Sequence, residues 1–238
     1  MNSPRQRQDE FVRRLQRVRE RIASAVTRAN RRLEDVTLVA VSKTHPPELI
    51  QIAMAAGLTD FGENRVQEAE DKVPRVGREN VRWHLIGHLQ SNKARRAVEL
   101  FDVIHSLDSV ALARRLDRFC VELNRRELPV LIQVDLAHEA TKSGATESQL
   151  LAIVNEIKES HALQLVGLMG LPPFFADVEQ VRPFFRRLRE VRDDLRAQGA
   201  FGELEGELSM GMTHDYEIAI QEGATMLRIG TAIFGSRE

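Results

Sequence analysis

Only five of the 34 basic residues in this 238-residue chain are lysine: Lys43, Lys72, Lys93, Lys142 and Lys158. Arginine serves wherever a positive charge is enough, so each retained lysine marks a place where an amine is a candidate requirement. Lysine, unlike arginine, can lose its proton and attack a carbonyl carbon. Lys43 has the most apolar setting of the five, just past a predicted strand over residues 36–42. Side chains alternate along a strand, so Thr37, Val39, Val41 and Lys43 share one face. If Val39 and Val41 fill a barrel interior, Lys43 reaches its mouth, where an amine suits imine formation with an aldehyde. A lysine that merely ends a strand and points to water is the competing reading.

Two further segments suit an anion. In Ser209-Met210-Gly211 and Gly230-Thr231, glycine lets backbone N–H groups approach a phosphate and the hydroxyls donate to it. Two routine turns are the alternative. Glu63 and Asn64, His105 and Arg228 also fall at or near predicted strand ends. His84 and His88 have the outer spacing of a zinc-binding helix motif, but Leu85 stands where that motif needs Glu and Gly87 interrupts it. Both are read as lining a site or as structural, on one strand face, and no metal ligands are assigned. Residues 207–211 lack the first glycine of a nucleophile elbow, and no phosphate-binding P-loop is present.

The elements that must position these residues follow from hydrophobic periodicity. Strands are predicted over residues 36–42, 59–62, 81–86, 103–105, 129–135, 163–169, 207–210 and 225–229, each followed by a helical segment. Alternating βα units imply a parallel sheet with right-handed crossovers. Eight of them in 238 residues imply one closed (β/α)8 TIM barrel spanning 1–238, with functional residues at the C-terminal strand ends. An open doubly wound sheet would carry a glycine-rich first turn, which Val41-Ser42-Lys43-Thr44 lacks. Before the barrel, Phe11, Leu15, Val18, Ile22, Val26, Ala29 and Leu33 recur at spacings of three and four. They draw the apolar stripe of an amphipathic helix within residues 1–35, packed on the barrel with its arginines solvated.

Composition narrows the class. The single cysteine, Cys120, excludes a disulfide framework and a cysteine-based zinc site. A net charge of −1 gives no overall footprint for nucleic acid. A polar N-terminus and the lack of any membrane-length apolar run point to a cytoplasmic protein with no membrane partner.

Seven ordered motifs carry a resemblance. They are Val41-Ser42-Lys43-Thr44, Phe61-Gly62-Glu63-Asn64-Arg65, residues 84–93, Thr141-Lys142-Ser143-Gly144, Gly167-Leu168-Met169, residues 208–212 and residues 228–235. From residue 36 to residue 235 the chain resembles the pyridoxal phosphate homeostasis protein family, single-domain proteins similar to the barrel domain of alanine racemase. The resemblance implies a fold-type III barrel that binds pyridoxal 5′-phosphate (PLP), with Lys43 as the imine-forming lysine. It implies that Ser209, Gly230 and Thr231, with the backbone around Met210 and Gly211, hold the phosphate. Asn64 would lie against the ring and Arg228 would approach its nitrogen. Thr213 stands where the family often has Ser.

An arginine beside the ring nitrogen leaves that nitrogen unprotonated and the ring a weaker electron sink. A role in intracellular vitamin B6 homeostasis without efficient turnover is therefore expected, with no catalytic residue assigned. The expected partners are PLP itself and PLP-dependent apoenzymes as candidate recipients, and a monomer is expected. An amino-acid racemase is the alternative. It needs an opposing base, and Tyr216, the single tyrosine, is read as a packing residue. A metal-dependent barrel hydrolase is the remaining alternative. Lys72, Lys93 and Lys142 are read as lysines solvating the rim.

Overall fold

Strands and helices alternate along the chain in a computed structural model, which describes residues 4–137 and 143–235. The strands are β1 (Thr37–Val41), β2 (Asp60–Glu63), β3 (Arg82–Leu85), β4 (Val103–Leu107), β5 (Leu128–Val134), β6 (Leu163–Gly170), β7 (Glu207–Ser209) and β8 (Met226–Ile229). Helix α1 (Pro4–Arg28) precedes them. Then α2 (Pro47–Ala55), α3 (Val66–Val76), α4 (Ala94–Leu100), α5 (Val110–Glu122), α6 (Glu147–Lys158), α7 (Arg182–Ala197), α8 (Tyr216–Gln221) and α9 (Thr231–Phe234) follow the strands one by one. Each strand pairs in parallel with its sequence neighbours, and β8 pairs with β1, closing the eight-stranded barrel.

Local signals in the sequence start several of these helices. Pro47 opens α2, where a missing N–H costs nothing. Ser109 caps α5 by accepting from the Leu112 N–H. Gln149 reaches back to the Thr146 N–H at the start of α6, at 2.9 Å. Inside the barrel, Val103, Leu131, Met169 and Met226 form an apolar plug. Outside it, the helices cover a larger core that includes Phe61, Trp83 and Phe101.

Helix α1 buries Phe11, Leu15, Val18, Ile22 and Val26 against α8 and α9. The expected stripe stops short of Leu33. The helix ends at Arg28, Asn30 turns the chain at φ 53°, and Leu33 lies in a separate 3-10 turn, 53% exposed. The arginine face is only partly solvated. Arg21 and Arg28 both pair with Glu217 of α8. Arg31 donates to the carbonyls of Ile220 and Ala224, and Arg14 to that of Phe234. Among the described residues no helix is long and apolar enough to cross a membrane.

Leu15 is 1% exposed, so Leu15→Ala should lower unfolding free energy by about 2–4 kcal/mol in chemical denaturation. Leu33→Ala should change it by less than about 0.5 kcal/mol. Equal losses at the two positions would contradict this packing.

Candidate functional site

Lys43 lies two residues beyond β1, in the loop at the C-terminal face of the barrel. It is partly buried, and its amine makes no hydrogen bond or ion pair with any described residue. The loop around it is held by groups that composition gave no reason to link. The Lys72 ammonium, on α3, donates to the Ser42 carbonyl at 2.8 Å and to Glu63 Oε1 at 2.7 Å. The Ser42 hydroxyl donates to the same Glu63 oxygen at 2.7 Å. The next peptide is held too, because the Thr44 N–H donates to Glu68 Oε2 at 2.6 Å. Thr44 has φ 66°, a left-handed conformation that a β-branched residue adopts only under constraint. His45 then stacks on Phe234 of α9, with ring centres 5.0 Å apart. Lys72 is thus a buried residue, 5% exposed, and not a lysine of the solvated rim.

Burial dominates the chemistry of Glu63. It pushes the carboxyl pKa up to about 7, against the opposing pull of Lys72 and Ser42. Its second oxygen is buried and has no hydrogen-bond partner among the described residues. Glu68 behaves oppositely. Its partial burial raises the pKa, but the Thr44 N–H and Lys72 outweigh that and hold it below the usual carboxylate range.

Inward side chains of β2, β3, β4, β7 and β8 form one hydrogen-bonded line across the barrel. Arg228 donates to the Ser209 hydroxyl at 2.6 Å and to the Gly170 carbonyl at 2.8 Å. Ser209 lies 2.8 Å from His105 Nδ1. His105 Nε2 lies 2.9 Å from His84 Nδ1, and His84 Nε2 lies 2.9 Å from Asp60 Oδ1. His84, His105 and Ser209 are fully buried, and Arg228 is 3% exposed. No described carboxylate comes within ion-pair distance of Arg228. Burial lowers its pKa to about 10, with Asp215 pulling the other way, so it remains a guanidinium at neutral pH. Burial also drives the His105 pKa well down, with His84 and Arg228 adding to the effect. Burial alone would raise the Asp60 pKa, but hydrogen bonds from His84 and Thr59 hold it below its ordinary value.

The β7 and β8 ends complete the mouth. Gly230 packs on β1, where a Cβ would lie 3.2 Å from the Val41 carbonyl oxygen. That close approach sets the β8–α9 turn beside the Lys43 loop. Thr231 begins α9 and is exposed. The Thr213 hydroxyl accepts from the Ala232 N–H at 3.3 Å. Gly211 has φ 92° and packs against α8. The Ser209 hydroxyl is engaged within the barrel by His105 and Arg228. The Met210 side chain is in the outer core, and its N–H donates to Met226. Asn64 is partly buried after β2, and its carbonyl would lie 2.2 Å from a Cβ at Gly87, so only glycine fits there. Beside Asn64 a cleft of about 720 Å³ opens, lined in part by Arg65, Gln67, His88 and Lys93.

Lys43, Asn64, Gly230 and Thr231 are therefore at one end of the barrel, with Arg228 and His84 within it. His88 does not share a strand face with His84. β3 ends at Leu85, and His88 is in the following loop, 3.5 Å from Asp108. Thr141 and Lys142 lie outside the described residues. Among the described residues no group of three His, Cys, Asp or Glu side chains could hold a metal ion. Tyr216 is 1% exposed, with the Arg21 guanidinium over its ring, so it packs between α8 and α1. Sequence reasoning missed Asp60, Glu68 and the Lys72 cluster. Only the Glu68–Lys72 spacing of four on one helix signalled any part of it.

The alanine racemase N-terminal domain family matches residues 14–238. The pyridoxal phosphate homeostasis protein of Aquifex aeolicus (strain VF5) is 41% identical over 225 residues, covering 94% of this chain and 97% of the relative. PipY of Synechococcus elongatus PCC7942, solved with PLP bound, is 40% identical with a TM-score of 0.77. The match covers 92% of this chain and all of PipY. Alanine racemase of Clostridium difficile 630 shares the fold, with a TM-score of 0.72 at 14% identity. The match covers 96% of this chain but 57% of that enzyme.

Glu63 supplies a pH test of the loop support. Its native carboxyl keeps its proton to about pH 7, against 4.5 for the free group. Between those values the native state binds more protons than the unfolded state, so Glu63's contribution to stability falls as pH rises through the window. Thermal melts across the window should show this fall in the parent chain and a flatter profile in Glu63→Gln. A parent contribution that rises with pH would contradict the assignment.

Proposed function

The chain belongs to the pyridoxal phosphate homeostasis protein family and carries the alanine racemase N-terminal domain, and on that premise we propose that it binds PLP at the barrel mouth through Lys43. Its role on this reading is to hold and release the cofactor within the cell's vitamin B6 pool. The whole chain acts as one PLP-binding unit in the cytoplasm, and PLP-dependent apoenzymes are the candidate recipients.

The observation in this chain that carries the reading is Arg228. A buried guanidinium with no carboxylate in reach is costly. A neutral aromatic nitrogen, which can only accept a hydrogen bond, suits it. Two further features fit the same ligand. Among the described residues the Lys43 amine has no hydrogen-bond or ion-pair partner, and Gly230, Thr231 and Thr213 gather donors beside its loop for a phosphate. Bound there, PLP supplies an aldehyde carbon for an amine and a ring that can delocalise electrons from an attached carbon.

The residues limit that chemistry. Arg228 would hold the ring nitrogen by donating to it while keeping its own proton, because a guanidinium does not give one up near neutral pH. Asn64 would rest against the ring. Lys72, Glu63 and Glu68 keep the Lys43 loop in place. The racemase alternative needs an acid–base group opposite Lys43, and Tyr216 is committed to packing under Arg21. These features favour retention of the cofactor over turnover.

Protein purified with PLP should be yellow, and borohydride should fix the cofactor to the peptide carrying Lys43, as read by mass spectrometry. Lys43→Ala should abolish that label, and an undiminished label in the variant would overturn the assignment. Incubating the PLP-loaded protein with L-alanine in deuterium oxide should give negligible Cα exchange. Rapid exchange with formation of D-alanine would favour the racemase alternative.

A further inference from the structure

The line of hydrogen bonds from Arg228 to Asp60 has a property that its members lack individually. Arginine has only donors, and an ionised carboxylate has only acceptors. With both imidazoles neutral, a chain ending in one of each has a single possible polarity. Arg228 donates to the Ser209 oxygen, and the Ser209 hydroxyl donates to His105 Nδ1. His105 Nε2–H donates to His84 Nδ1, and His84 Nε2–H donates to Asp60. Every proton between the ends is then assigned, with each imidazole as its Nε2–H tautomer. In the reverse arrangement the Ser209 oxygen would face two donors, its own proton would lose its acceptor, and Asp60 would have to be protonated.

We propose that Ser209, His105, His84 and Asp60 are positioning residues for Arg228, a one-way relay that aims its guanidinium at the ring nitrogen of the bound cofactor. This rests on the reading of Arg228 given above and extends it. With its proton donated to His105, the Ser209 hydroxyl is polarised into a stronger acceptor for Arg228. That direction is set three side chains farther on, by Asp60 at the start of β2. There Asp60 also receives the Thr59 hydroxyl at 2.7 Å and lies 3.7 Å from Arg82. The opposite end of the barrel thus bears on the cofactor contact. Chains of this kind strengthen cooperatively when every member is satisfied.

Two measurements test the relay. The first needs neither cofactor nor variant. Long-range 15N–1H correlation spectra of the parent protein should show His84 and His105 both protonated at Nε2 and bare at Nδ1. An Nδ1–H tautomer or an imidazolium at either residue overturns the proposal. The second compares the affinity for PLP with that for its deaza analogue, in which C–H replaces the ring nitrogen. The parent should prefer PLP by about tenfold or more, the range of a hydrogen bond from a charged donor.

Asp60→Asn keeps the shape but lets either end of the amide face His84, and His105→Gln interrupts the line. Each should reduce the preference by about threefold or more, as for partners within one hydrogen-bond network. A merely structural loss would weaken both ligands alike. Folded variants with an undiminished preference overturn the relay and leave the Arg228 reading standing. A parent with no preference overturns both. If the variants fail to fold, the tautomers of the parent decide the matter alone.

Discussion

A positive charge inside the barrel, with no described carboxylate within ion-pair distance, is the constraint around which the interior is built. Arg228 is 3% exposed, and neither of its direct partners, the Ser209 hydroxyl and the Gly170 carbonyl, is ionised. Both offer lone pairs, so the guanidinium is solvated by dipoles instead of neutralised. Asp215 contributes only at a distance. The line through Ser209 and the two histidines ends on Asp60, near the opposite face. A site arranged in this way favours a ligand that brings an acceptor and discourages protonation of that acceptor.

The interior arrangement has an independent counterpart where β2, the loop after β1 and α3 meet. Lys72 joins α3 to the Ser42 carbonyl and to Glu63, and Glu68 takes the Thr44 N–H. This cluster shares no member with the Arg228 line, yet both converge on the barrel mouth. One holds the backbone that carries the Lys43 amine, and the other holds the cation within the barrel. A strained Thr44 persists because three neighbouring contacts determine its loop. Helix α1 bears on the same region through Phe11, whose ring lies 5.6 Å from that of Phe234, while Phe234 in turn stacks with His45. The N-terminal helix therefore braces the face on which Lys43 stands.

Much of this was legible in the sequence, for identifiable reasons. The eight βα units could be read because buried parallel strands and amphipathic helices leave distinct periodicities. The position of Lys43 just past the end of β1 followed from the strand that carries Val39 and Val41. Turn chemistry marked Gly230 and Thr231. What escaped was long-range pairing between charged or polar groups on different elements. Nothing local tells that Lys72 buries its ammonium on Glu63, since the hydrophobic signal reports faces and not partners. His84 and His105 were visible as strand residues, but their link is a matter of barrel register across adjacent strands. Ser209 is expected at a phosphate from its turn chemistry, and nothing local to it signals the contacts of its hydroxyl with His105 and Arg228. The apolar stripe of α1 was extended one turn too far, to Leu33, because spacing alone does not reveal the left-handed turn at Asn30.

In the proposed function a buried Arg228, still a guanidinium at neutral pH, faces the cofactor's ring nitrogen. The most direct measurement is the 15N chemical shift of that nitrogen in isotopically labelled PLP bound to the protein at neutral pH. A shift in the range of an unprotonated, hydrogen-bonded pyridine is expected. A shift in the pyridinium range would contradict the claim.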